Sequence, residues 1–79
     1  SFNLADGTAY LVLVQSGQNA RASLNSVYVT SGGVCRFVEI FASSTKPAAV
    51  STTDRSGGTP ATLNVTSNAG NCAVSILAF

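Results

Sequence analysis

No histidine occurs anywhere in these 79 residues, and neither does methionine or tryptophan. The missing imidazole removes Ser-His-Asp and Cys-His catalysis, most zinc sites and the usual general base near neutral pH. Charge is scarce as well. The charged side chains are Asp6, Arg21, Arg36, Glu39, Lys46, Asp54 and Arg55, 9% of the chain, against about a quarter in an average soluble domain. Carboxylate-pair chemistry would have to draw on Asp6, Glu39 and Asp54. Asp6 and Asp54 stand in turn sequences, where Asp bonds its own backbone. Glu39 lies mid-strand between Phe37 and Phe41, either as an edge gatekeeper or as the partner of an arginine. Three scattered acids also fall short of the roughly six to eight oxygens a calcium ion takes. Two cysteines, Cys35 and Cys72, are too few soft ligands for a metal. Ser1 as a terminal nucleophile would need a larger fold around its amine. No catalytic, metal or cofactor-binding residue is expected, and the chain reads as a non-enzyme without cofactors.

The net charge is +1, and the four cations are spread singly. Nucleic-acid affinity comes mainly from clustered Lys and Arg on phosphates, so no nucleic-acid partner is expected. No run approaches the about 20 apolar residues that cross a bilayer, and no membrane insertion is expected. Residues 1–20 lack a basic leader and a clean apolar block. Ser1, in a chain without methionine, fits both a trimmed initiator and cleavage from a precursor. Ser31-Gly32-Gly33 and Ser56-Gly57-Gly58 lack the Lys-Ser/Thr that a phosphate loop needs, and read as turns.

What is present is apolar and β-forming. Hydrophobic residues make up 46% of the chain, and Ser, Thr, Asn and Gln replace most of the missing charge. The apolar residues show no helical period and fall in short runs cut by turn residues. Seven strands are expected: 2–5, 8–15, 21–30, 34–42, 50–53, 61–67 and 72–79. Ser16–Asn19 and Ser31–Gly33 are expected turns, Ser43–Pro47 a loop, and Asp54–Pro60 the most flexible loop. The run VCRFVEIFA is expected to be a central strand, and the polar 50–53 an edge. The last two strands are expected to form a hairpin around Asn68–Asn71. This spacing predicts a single all-β domain over residues 1–79, a small antiparallel β-sandwich or barrel.

Two of these strands are apolar on both faces. In 8–15, Tyr10, Val12 and Val14 lie on one side and Ala9, Leu11 and Leu13 on the other. In 72–79 the sets are Cys72, Val74, Ile76, Ala78 and Ala73, Ser75, Leu77, Phe79. A two-layer sandwich buries one face of each sheet, so the second faces call for cover from another chain. Leu11, Leu13, Leu77 and Phe79 are the expected interface residues. Cys35 and Cys72 each open a core strand, and a disulfide between them is expected; by chain-entropy reasoning it would be worth roughly 4 kcal/mol. The remaining aromatics are expected in the core. Asn64-Val65-Thr66 matches a glycosylation sequon, a short pattern of little weight in a Thr-rich strand.

Two function classes follow. The first is a non-catalytic structural protein that self-assembles as a homo-oligomer or docks on a scaffold protein. Its concrete forms are a small viral or phage coat, decoration or fibre subunit, or an extracellular filament subunit, placing it in a virion or outside the cell. The alternative is a secreted ligand-binding module, carbohydrate included, with Tyr10, Tyr28 and Arg55 as contacts.

Overall fold

Alternation of apolar with small or polar residues dictates two layers, and seven segments follow it. They are β1 (Phe2–Leu4), β2 (Ala9–Ser16), β3 (Arg21–Val29), β4 (Cys35–Ala42), β5 (Ala48–Thr53), β6 (Ala61–Ser67) and β7 (Ala73–Ala78). The computed structural model describes residues 1–17, 20–68 and 70–79; of the expected turn residues, Gln18, Asn19 and Ala69 lie outside the described residues. All pairings are antiparallel, in a three-stranded sheet ordered β1-β6-β5 and a four-stranded sheet ordered β4-β3-β2-β7. The protein is therefore a two-sheet antiparallel sandwich, with no α-helix among the described residues.

Two expectations about neighbours are corrected. The run VCRFVEIFA is β4, an edge strand of the four-stranded sheet, while β2 and β3 are the central pair. β6 and β7 do not form a hairpin, because β6 belongs to one sheet and β7 to the other. The chain thus passes from one sheet to the other between β6 and β7, as it does at 5–8 and 43–47. The expected edge position of β5 holds.

The inner layer takes one parity of each strand. Tyr10, Val12 and Val14 of β2, Val27 and Val29 of β3, Leu4 of β1, Ala48 of β5, and Ala61 and Leu63 of β6 are buried. Burying each aliphatic of Val or Leu size contributes about 1.5–3 kcal/mol. The layer turns polar towards one end, where Ser16, Ser23 and Asn25 are buried. The Asn25 amide donates to the Val12 carbonyl and the Ser23 hydroxyl at 3.4 and 3.3 Å, while the Ser16 hydroxyl has no partner among the described residues. The expectation that the aromatics fill the core is corrected. Tyr10 is the buried aromatic and Phe37 is half-buried, whereas Phe2, Tyr28 and Phe41 are exposed, as is Phe79, which was expected on an outer face. An inner layer already filled by Val, Ala and Leu leaves those rings on the outward parity or at its rim.

The sheets are laced together along one side. The Cys35 N–H donates to Asp54 Oδ1 at 2.9 Å, and the Arg55 N–H to the Gly33 carbonyl at 2.9 Å. Within Asp54–Pro60, Ser56 and Thr59 exchange backbone hydrogen bonds of 3.0 and 2.9 Å around Gly57-Gly58. Gly33 makes this lacing possible. Its φ is +84°, and an added Cβ would sit 2.5 Å from Arg55 Cβ and 2.6 Å from Arg55 Nε. Gly33→Ala is expected to cost about 1–3 kcal/mol, from the left-handed backbone and the overpacking together. Urea unfolding followed by circular dichroism checks it.

Candidate functional site: the outer face and free edge of the four-stranded sheet

Each inward residue leaves its neighbour outward, so the four-stranded sheet carries a second set of side chains on its far face. Register arranges them in cross-strand rows. Arg36, Tyr28, Ala9 and Phe79 form one; Val38, Ser26, Leu11 and Leu77 the next; Phe41, Leu24, Leu13 and Ser75 the third. No helix or second sheet among the described residues lies over these rows. Phe79 is 71% exposed, and Val38 and Phe41 each 59%. Arg36, at a corner, is the one charged side chain in the three rows. Small Ala9 and Ser26 sit between larger neighbours, which opens a shallow depression of about 480 Å3 between Tyr28, Val38, Leu11 and Phe79.

The outer face of the other sheet has opposite chemistry. Asn3, Thr62 and Thr53 form one row, with Asn64 beside Ser51 and Thr66 beside Ala49. Hydroxyls and amides there bond one another: Asn64 Nδ2 donates to Thr53 Oγ1 at 3.0 Å, and Thr62 Oγ1 to Asn64 Oδ1 at 3.2 Å. The sequon asparagine is thus part of a side-chain network on a central strand.

The edges of the four-stranded sheet differ as well. β4 has a register irregularity opposite Leu24 and Asn25, which leaves Ile40 outside the ladder, and it carries Arg36 and Glu39. β7 pairs regularly with β2 from Ala73 to Ala78 and carries no charge. The Phe79 N–H donates to the Ala9 carbonyl at 2.9 Å. Hydrogen-bonded pairs alternate along an antiparallel ladder. Ala73, Ser75, Leu77 and Phe79 therefore turn their backbone groups towards β2, and Val74, Ile76 and Ala78 turn theirs to the free edge.

Leu11, Leu13, Leu77 and Phe79 all lie on this one outer face, with Leu11 directly opposite Leu77. Leu24, Val38 and Phe41 share the face and escaped sequence reasoning. Their signal was the period of two in β3 and β4, which the break at Ile40 disguises. Tyr28 is also there. Tyr10 is not, and its proposed ligand role is corrected: the ring is buried and its hydroxyl accepts the Ala5 N–H at 2.8 Å. Arg55 is likewise not a free cation, because its Nε lies 3.0 Å from Asp6 Oδ2. Glu39 is an exposed edge carboxylate paired with Lys46 at 2.9 Å. All three carboxylates thus have structural partners, Asp54 through Cys35 N–H. The chain matches no family model, no curated protein and no solved structure.

The expected Cys35–Cys72 disulfide is corrected: both thiols are free. Cys35 faces Val29, whereas Cys72 precedes Ala73, which shares a row with Gln15 and Ala22. Val29 and Ala22 are seven residues apart on β3, about 23 Å at ~3.3 Å per residue. A disulfide spans Cα separations of about 4.4–6.8 Å. Burial raises the Cys35 thiol above its ordinary value; a hydrogen bond with Thr52 works the other way, and the Asp54 charge adds to the rise. Stability from this thiol is full below the unfolded thiol pKa and is lost as pH rises through the folded one. Alkylation without reductant is expected to add two groups per chain. At pH 8, Cys35 is expected to react more slowly in the folded protein than in denaturant, as peptide mass spectrometry reads.

Proposed function

We propose that this is a non-catalytic structural protein that self-assembles or docks on a repeating scaffold through the outer face of its four-stranded sheet. The uncovered apolar rows of that face carry the reading. Four strands at ~4.8 Å and six residue steps at ~3.3 Å give a patch of about 20 by 20 Å, roughly 400 Å2 in projection. That is on the scale of the largest apolar patches of soluble monomers, which often mark interaction sites. Here it belongs to a chain with only 9% charged residues, so little else on the surface opposes close approach. A small coat, decoration or fibre subunit of a virus or phage, or an extracellular filament subunit, is the concrete form, in a virion or outside the cell. The two outer faces, one apolar and one of hydroxyls and amides, suit a subunit with one side against a neighbour and the other in water.

A secreted ligand-binding module is less well supported. Of its three proposed contacts, Tyr10 is spent on the core and Arg55 on Asp6, leaving Tyr28 beside the shallow depression. The assembly reading predicts species larger than 8.0 kDa by size-exclusion chromatography with light scattering, or particles by electron microscopy. The double substitution Val38→Lys/Phe41→Lys, at two exposed positions, is expected to shift the population towards monomer while far-UV circular dichroism stays unchanged. A clean monomer at high concentration, with no particles, would rule out self-assembly.

A further inference from the structure

The sandwich is laced on the β4/β5 side and open on the β1/β7 side. β1 is only three residues long and joins the four-stranded sheet near Tyr10 of β2. β7 has its extensive contacts with β2 alone. Two large inward-facing residues are consequently left in solvent on that side, Phe2 at 41% and Ile76 at 36%, together with the small Ala78. The inward residues of β2 beside them, Val12 and Val14, are fully buried. A free strand edge is normally blunted by charge, proline, a bulge or shortness. β4 has charges and a break in its ladder, β1 is short, and β5 follows Pro47 and is polar. β7 has none of these devices.

Resting on the self-assembly reading above, we infer that β7 pairs antiparallel with β7 of a second copy, across a two-fold axis through Ile76. The two four-stranded sheets then form one continuous sheet of eight. Opposite residues of an antiparallel pair share a face, and pairing residues i and j with i plus j equal to 152 uses the whole segment from Ala73 to Phe79. Outward, Ala73 meets the second Phe79 and Ser75 the second Leu77; inward, Val74 meets the second Ala78 and Ile76 meets itself. Small faces large on the outer side. The backbone groups that β7 turns outward belong to Val74, Ile76 and Ala78, and this register makes those three the hydrogen-bonded positions. It brings no like charges together, because β7 has none. It also places the two open sides of the sandwiches against each other, with Phe2 and Ile76 of both copies on the seam. Main-chain hydrogen bonds along one strand give affinity of the β-augmentation kind.

Register-specific cross-linking tests this in a Cys35→Ala/Cys72→Ala background, folded as judged by far-UV circular dichroism. Ser75→Cys and Leu77→Cys are made on separate chains, mixed and oxidised. Ser75 and Leu77 of the two copies form a non-hydrogen-bonded pair, with Cα atoms about 4.5 Å apart, inside the reach of a disulfide. The mixture is expected to give at least about tenfold more covalent dimer than either chain alone, since a disulfide tolerates Cα separations of only ~4.4–6.8 Å. Adding Ile76→Lys to both chains is expected to abolish that dimer. No covalent dimer from the mixture, or equal yields from each chain alone, overturns the inference. Light scattering on the same cysteine-free chain separates the two readings. Association without the mixed cross-link removes the edge pairing and keeps assembly through the face. A monomer with no cross-link removes both.

Discussion

One layer of side chains lies between two sheets, and everything else follows from how little it can hold. Seventy-nine residues without an α-helix among those described cover each sheet on one side only. The layer is narrow: Val12, Val14, Val27, Val29 and Leu63, two alanines, Leu4 and a single ring, Tyr10. It closes at one end on Ser16, Ser23 and Asn25 rather than on further aliphatics. Buried polar groups of this kind are tolerated when bonded, and the Asn25 amide reaches only long bonds while the Ser16 hydroxyl reaches none among the described residues. Large apolar side chains that do not fit inside are displaced to the outer parity. Phe41, Phe79, Tyr28 and Leu77 are exposed for that reason.

The same economy governs charge. Asp6 with Arg55, Asp54 with the Cys35 N–H, and Glu39 with Lys46 sit at loops and at the β4 edge. There they lace the sheets or blunt an edge. Exposed ion pairs contribute only about 0–1 kcal/mol each, so the Asp6–Arg55 pair matters more for fixing the loop beside Gly33 than for stability. With those charges used at the rim, the outer rows of the four-stranded sheet keep Arg36 alone, and the other sheet keeps hydroxyls and amides. The molecule is two-sided because its few charges are committed elsewhere.

Strand positions and face parity were legible in the sequence. Alternation along Tyr10, Val12 and Val14 separates them from Leu11 and Leu13 without any tertiary information, and the structure keeps that division. Partnership was not legible. VCRFVEIFA reads as central because it is the most hydrophobic run of the chain, yet an edge strand with an uncovered outer face has the same composition. The short linker 68–72 fits a hairpin and an arch equally well, since loop length alone does not choose between staying in a sheet and crossing to the other. The cysteine pairing failed for a related reason. Equivalent places in two strand sequences say nothing about which end of the sandwich each strand starts from, and antiparallel order puts Cys35 and Cys72 at opposite ends. Tyr10 shows the limit for sites, because an aromatic on the strand of a small domain becomes a core ring or a surface ring according to parity.

The face and the edge of the four-stranded sheet have different consequences for assembly. Pairing through β7 is isologous, so it uses each copy's edge once and closes at two copies. The far ends of the joined sheet are then the two β4 strands, whose broken ladder, Arg36 and Glu39 resist further strand addition. Growth beyond a pair cannot continue along the strand-pairing direction. It has to use the apolar rows, which the pairing leaves on one side of the eight-stranded sheet and doubles in extent, with the hydroxyl and amide faces together on the other. On the proposed pairing, any further contact made through those rows leaves the hydroxyl and amide faces turned outward, and an edge-to-edge fibre is disfavoured.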